Sequence, residues 1–334
     1  MNNARKDDSM KKTVVTAVVL AAASFGFSSA SIAAESQEPY TAYVVYTGDV
    51  IADVNGITQR TKGAVVARLD GTTETCATIF DKSATLGSVV TVSTSAFGQS
   101  LTLASGRSVS GTVNAQSMRI GSTPVSENVQ ILDIAAQPIK NNHDYAAVSL
   151  DRIDGLTLDS NDIKYCATDA NGYITELVLN DVTGDSYTYG IVTDTDSDKD
   201  VFVTADGSIW HPYGISSSSQ RYSPVRLASS YRYDIDMDTH EGKLVHHDDS
   251  YDTFSFISPL YRIGNASSLS EGTATVSGST YKLSDSTAIY YTDNSHYVQT
   301  SLESVSDGNY TLTCYYDKPE SQGGRIRIIV AEHK

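Results

Sequence analysis

The chain has 334 residues, more than one ordinary domain holds, and a hydrophobic share of 40% that suffices for real cores. Its formal net charge of −16 repels nucleic acid and anionic membranes and argues against a partner of either kind. The 21 tyrosines against 1 tryptophan and 7 phenylalanines, with many Thr, Ser and Val, make a strand-favouring composition.

Residues 1–34 read as a secretory signal peptide. "MKK" at 10–12 supplies the positive start, "TVVTAVVLAAASFGF" the apolar stretch, and "SIA" or "IAA" ahead of Glu35 the small residues of a cleavage site. The apolar run is too short for a stable membrane span, and no second run of spanning length follows. Arg5, Lys6, Lys11 and Lys12 against Asp7 and Asp8 give this segment a charge of +2, so its removal leaves −18 on the mature chain. A secreted, extracellular protein with an acidic, soluble surface and no membrane span is expected.

From residue 40 onward the pattern is that of strands. "YTAYVVYTGDVIADV", "SVVTVST", "YTYGIVTD", "DVFVTADGSIW", "ATVSGSTYKL", "AIYYTD" and "YTLTCYYD" alternate or are β-branched and aromatic. Turn signals separate them: Asn55-Gly56, Asp70-Gly71, Asn171-Gly172 and Asp206-Gly207. No window has the caps and the 3.6-residue period of a full helix, although "SLDRI" and "SLESV" each suggest one helical turn begun by a capping serine. Short strands at this spacing predict an all-β fold of tandem small β-barrel or sandwich subdomains in two repeated units, since closing a sheet on itself removes exposed edges.

The repetition is visible in the sequence. "TVNAQSMRIGSTPVSENVQILDI" (112–134) corresponds to "TATVSGSTYKLSDSTAIYYTD" (273–293), "VSLDRIDG" to "TSLESVSDG", and "GYITELVL" (172–179) to "GRIRIIVA" (324–331). More faintly, "ATLGSVVTVSTSAFGQSLTL" (84–103) resembles "VRLASSYRYDIDMDTHEGKLV" (225–245). Four β subdomains are therefore expected after the signal, at 35–108, 109–182, 183–264 and 265–334, stacked as an elongated rod. Cys166 and Cys314 occupy equivalent places in the copies; with Cys76 they match no zinc spacing. Domains of this size bury cores without covalent staples, so buried thiols in strand positions are expected rather than a disulfide framework.

Candidate chemistry is sparse. "DTDSDKD" sets Asp194, Asp196, Asp198 and Asp200 two apart, which could offer hard oxygen ligands to calcium. Lys199 and Ala205 stand where a calcium loop needs Gly and Glu, so an acidic hairpin tip is the preferred reading and no cofactor is expected. In "YDIDMDTHEG" the alternation places Asp234, Asp236 and Asp238 toward solvent, with Tyr233, Ile235 and Met237 inward. "HHDDSYD" contains His246 and Asp248, two ligand types that do not make a site. "GSIWHPYGI" holds the single tryptophan, and Trp210, Tyr213 and Tyr222 are the best candidates for packing on a sugar ring or a protein. There is no G-x-S-x-G elbow and no cysteine with an evident histidine partner, so no catalytic residue is assigned and an enzyme is not expected.

"VQILDI…VSLDRIDG…YITELVL" and "YTYGIVTD…VFVTADG" resemble the β-repeat regions of exported S-layer-homology-domain proteins of Gram-positive anaerobes. The anchoring modules of that family have no visible counterpart in this sequence. The resemblance implies a non-enzymatic cell-surface structural or adhesive protein, associated with the cell envelope, whose partner is an envelope polymer or a surface-layer protein. The alternative is an extracellular carbohydrate- or peptide-binding module protein.

Overall fold

Strands make up most of the described residues and helical turns only a few, so the protein is all-β, built of several curled sheets. The computed structural model describes residues 38–334 apart from 55–56, 81–83, 96–97, 137–143, 197–198, 205–208, 211, 214–221, 230–231, 240, 246–251, 294–295 and 307.

The first sheet closes into a barrel. Its strands are β1 (Tyr40–Val54), β2 (Ile57–Arg68), β3 (Thr73–Phe80), β4 (Val89–Ser95) and β5 (Gly98–Leu103), in the order 1-2-3-5-4 with β4 returning to β1. Only the β3–β5 contact is parallel. This is the Greek-key connectivity of small five-stranded barrels such as the OB-fold. Strand alternation assigns its two faces. Ala42, Val44, Ala64, Val66, Val90, Val92 and Cys76 fill the barrel interior, while Tyr43, Val45, Val65 and Ala67 point outward against the next sheet.

That next sheet comprises β6 (Gly111–Asn114), β7 (Arg119–Ile120), β8 (Thr123–Ile134), β9 (Tyr145–Val148), β10 (Thr157–Leu158), β11 (Ile163–Thr168) and β12 (Ile174–Asn180). The central order is 11-12-8-9, with β12 parallel to β8. Leu177 and Leu179 face the sheet's own core with Ile131, Ile153 and Cys166. Val178, one residue on, faces the barrel with Leu132, Ile134 and Tyr165. Both faces are therefore apolar, which is why "ELVLN" does not alternate in polarity.

The second half repeats the plan. The strands β13 (Thr188–Asp196), β14 (Lys199–Thr204), β15 (Ile209–Trp210), β16 (Pro212–Tyr213) and β17 (Pro224–Ser229) precede a two-stranded ribbon, β18 (Arg232–Asp236) and β19 (Glu241–Val245), and then β20 (Asp252–Pro259). The sheet order is 15-14-13-17-20-16. β15 and β16 stand one residue apart in the chain, so together they take the place of strand 3, and β16 meets β20 in parallel as β3 meets β5. The last sheet contains β21 (Tyr261–Ser270), β22 (Thr273–Val276), β23 (Ser279–Asp293), β24 (His296–Thr300), β25 (Tyr310–Tyr316) and β26 (Ile326–His333), with the one-turn helix α1 (Leu302–Val305). Its order 25-26-23-24, with β26 parallel to β23, matches 11-12-8-9. The match extends to single residues. Cys166 pairs with Leu177 and Leu177 with Ile131; Cys314 pairs with Ile329 and Ile329 with Ile289.

Both serine-led turns form. Ser301 Oγ accepts from Ser304 N–H at the start of α1, and Ser149 Oγ accepts from Arg152 N–H at 3.2 Å ahead of a 3-10 turn.

Two expectations need correction. The hairpin at 232–245 is not the counterpart of β4–β5. It is inserted between β17 and β20, and it leaves its own sheet to pack on the first barrel, where Tyr233 stacks on Tyr46 with ring centroids 5.7 Å apart and donates to the carbonyl of Ile51 at 3.3 Å. An alternating pattern announces a ribbon but not the surface that receives it. Met237 is 56% exposed, because β18 ends at Asp236 and Met237 lies in the turn beyond.

Candidate functional site

The closing hairpin of each sheet starts from the same device. Asp169 Oδ1 accepts the N–H groups of Asn171 and Tyr173 at 2.9 and 2.8 Å. Asp317 Oδ1 accepts those of Lys318 and Arg325, both at 3.0 Å. Such side-chain-to-backbone bonds hold tight turns. The copies differ in what lies between. Two residues separate Asp169 from Gly172, whereas six, "KPESQG", separate Asp317 from Gly324. The longer loop reaches the first half of the chain: Gly323 O accepts from Arg152 Nη2 at 3.0 Å.

At this seam a buried ionic network of the second half is tied to the first half by Arg152. Arg327 aligns with Thr175 of the first copy and is 1% exposed. Its Nε and Nη2 donate to Asp317 Oδ2 at 3.0 and 2.9 Å, and its Nη1 donates to Asp185 Oδ1 at 2.7 Å and Ser284 Oγ at 2.8 Å. Nη2 also donates to the carbonyl of Thr183 at 2.5 Å. Arg152 approaches Asp185 from the other side, with Nε donating to Oδ2 at 2.7 Å. The Tyr189 ring lies under the Arg327 guanidinium, 4.7 Å from centroid to Cζ, and its hydroxyl is 3.0 Å from Asp317 Oδ2.

The electrostatics follow from these contacts. Burial works against the Arg327 charge, but Tyr189, Asp317 and Asp185 outweigh it and raise its pKa further. Burial likewise opposes ionisation of Asp185, yet its bonds to Arg152 and the Arg327 charge hold its carboxyl below the ordinary range. Asp133 is fully buried; desolvation pushes its pKa up although Val182 N–H, Thr183 N–H and Thr183 Oγ donate to it. The carboxylates of this network spend their acceptor capacity on the protein itself. Their chemistry is joining, because a general acid or base needs a lone pair or proton free for substrate.

Beside the network lies an open cleft of about 280 Å³. Leu156, Leu158 and Val182 give it apolar patches; Asp162, Asp181, Lys318, Ser321 and Gln322 give it polar ones. Asp181 has a left-handed backbone, φ 54°. Its Oδ2 accepts from Tyr187 at 3.2 Å, while Oδ1 is buried without a hydrogen-bond partner, 3.6 Å from Lys318 Nζ. Lys318 also donates to the Asp181 carbonyl.

The three cysteines are free and buried. Desolvation pushes the thiol pKa up to about 12 for Cys76, about 11 for Cys166 and about 12 for Cys314. At neutral pH none holds an appreciable thiolate population, which is the nucleophilic form.

The residues singled out from sequence lie elsewhere. Trp210 pairs with Phe202 and Tyr213 with Thr253 along the backbone, and the side chains of both are outside what the structure describes. Tyr222 is 39% exposed, with a φ of 60°, and its carbonyl accepts from Tyr297 Oη at 3.1 Å. Asp194 pairs with Asp200 and Asp196 with Lys199 at the tip of β13–β14; Asp198, like His246 and Asp248, is outside the described residues. Among the described residues no group of three or more His, Cys, Asp or Glu could hold a metal ion, and no helix is long and apolar enough to cross a membrane. Sequence reasoning missed the seam. Its signals were the four-residue excess of the second hairpin loop and an arginine, Arg327, inside the otherwise apolar "IRIIVA". Against known proteins, the chain matches no family model and no curated sequence.

Proposed function

We propose that the protein is an exported, non-enzymatic structural or adhesive protein of the cell surface, of the surface-layer-associated type, working against an envelope polymer or a surface-layer protein. The observation that carries this reading is the seam: Arg152 of the first barrel-and-sheet half bonds Asp185 and the carbonyls of Thr183 and Gly323 in the second, and the thiols are sealed in cores. The signal-like N-terminus and the likeness to β-repeat regions of S-layer-homology-domain proteins agree with it. Fractionation of the source cells tests it. The mature chain should sediment with the envelope and be released by chaotropic wash; recovery entirely as free protein in the medium refutes the reading.

A second reading, a carbohydrate- or peptide-binding module protein, is favoured by the cleft, since a concave site with convergent polar groups is the usual form of a ligand pocket. Retention on polysaccharide columns distinguishes it from a purely structural role.

A further inference from the structure

We infer that Lys318 and Asp181 condense into an intramolecular amide, a covalent clasp between the last hairpin loop and the residue just after β12. Such a clasp goes beyond the surface role proposed above and is independent of it. It would join residues 137 apart in the chain. The first copy has no equivalent, because Ala170 follows Asp169 where Lys318 follows Asp317.

Asp181 differs from the other acids of the seam. Asp133, Asp185 and Asp317 each spend both oxygens on protein donors. Asp181 spends only Oδ2, which accepts from the Tyr187 hydroxyl at 3.2 Å. Its Oδ1 is buried with no hydrogen-bond partner, and the group that faces it is Lys318 Nζ at 3.6 Å. The same Nζ donates to the Asp181 carbonyl, so the amine is anchored beside the carboxyl. Both side chains are only 17% exposed. Lys62 on Asp49 shows the contrast: that lysine is 80% exposed, where water competes for both charges.

The ion pair already contains every atom of the product. Nζ passes one proton to Oδ1 and attacks Cγ; a second proton follows, the Cγ–Oδ1 bond breaks, and Oδ1 leaves as water. The third proton remains as the amide N–H, so atoms and charge balance without a co-reactant. Oδ2 carries the negative charge of the tetrahedral intermediate, and the Tyr187 hydroxyl that already donates to it would stabilise that charge. The N–H of Ala136 fixes this hydroxyl from the other side at 3.1 Å. Burial, and after it the Asp181 charge, push the Tyr187 pKa up, so the hydroxyl keeps its proton. Two effects favour the amide. Well-aligned groups react at an effective concentration of about 10⁵ M or more, and a neutral amide escapes the desolvation cost of a buried ion pair.

Intact-mass spectrometry of the exported chain, denatured and with its N-terminus sequenced, tests this. The parent should be lighter than its sequence requires by one water. Lys318→Arg, which keeps the charge but holds its proton too tightly to attack, should show the full mass. After trypsin the parent should yield residues 165–199 joined to residues 283–325. The joined peptide is read on the parent alone, so misfolding of a variant cannot imitate it. On a denaturing gel the parent, closed into a loop, should run ahead of Lys318→Arg. Tyr187→Phe should be linked in only a small fraction of freshly made chain, with the fraction rising on incubation; complete linkage at once overturns the part given to that hydroxyl. A parent at full sequence mass overturns the inference. So does a water deficit that survives in Lys318→Arg, which would mark a succinimide at an aspartyl-glycine turn such as Asp70-Gly71.

Discussion

Replacing Arg327 by methionine is the sharpest trial of the seam. The substitution keeps an unbranched side chain of similar reach while deleting a guanidinium that makes five hydrogen bonds. The loss is not shared equally. Asp185 keeps Arg152, and the Thr183 carbonyl keeps Arg152 Nη2 at 2.8 Å. Asp317 fares worse, retaining the Tyr189 hydroxyl and two backbone N–H groups but no cation at a site with 0% side-chain exposure. Breaking one side of a buried ion pair costs about 3–5 kcal/mol. At about 2 °C per kcal/mol for a chain of this size, the unfolding midpoint should fall by roughly 6–10 °C in calorimetry. The double variant Arg327→Met/Asp317→Asn should recover part of the loss, because the stranded charge is gone. A single variant that melts within about 1 °C of the parent would refute the argument that this buried network stabilises the fold. The pH dependence has a definite sign. Asp185 titrates lower in the folded chain than in the unfolded one. Its contribution is therefore present above the unfolded pKa near 3.9 and lost as pH falls through the folded value. The stability gap between parent and Arg327→Met should narrow below about pH 4.

Three further outcomes are expected. Gly172 and Gly323 have nearly equal φ, 84° and 86°, but a Cβ on Gly172 meets open space and one on Gly323 would lie 2.1 Å from the Val182 carbonyl oxygen. Gly172→Ala should thus cost about 1 kcal/mol by denaturant titration and Gly323→Ala clearly more, with equal losses counting against a close-packed seam. In native protein at pH 8 the three thiols should resist a disulfide reagent and all should react after denaturation; a fast-reacting native thiol would contradict their burial. Tyr233→Ala should free the β18–β19 ribbon, with a loss of about 3 kcal/mol and earlier protease cleavage within 232–245, whereas Tyr233→Phe should cost about 1 kcal/mol.

What the sequence determines here is local and periodic. Alternation along "YTAYVV" dictates a strand with two faces, the Asn-Gly and Asp-Gly pairs dictate where strands reverse, and Ser301 dictates where α1 begins. The equivalence of Cys166 and Cys314 was legible for the same reason, since both are apolar positions opposite Leu177 and Ile329. Partnership between distant segments was decided only in three dimensions. Both faces of β12 are apolar, so periodicity cannot tell that Val178 meets the barrel while Leu177 meets its own sheet. The β18–β19 ribbon carries an ordinary hairpin pattern, and its docking on β1 depends on the shape of a surface about 180 residues earlier in the chain. Arg327 looks like a misplaced charge in an apolar strand until Asp185, Thr183 and Asp317 surround it. A buried charge is tolerable only among partners, and which partners arrive is settled by how the segment between β12 and β13 packs against the closing hairpin of the last sheet.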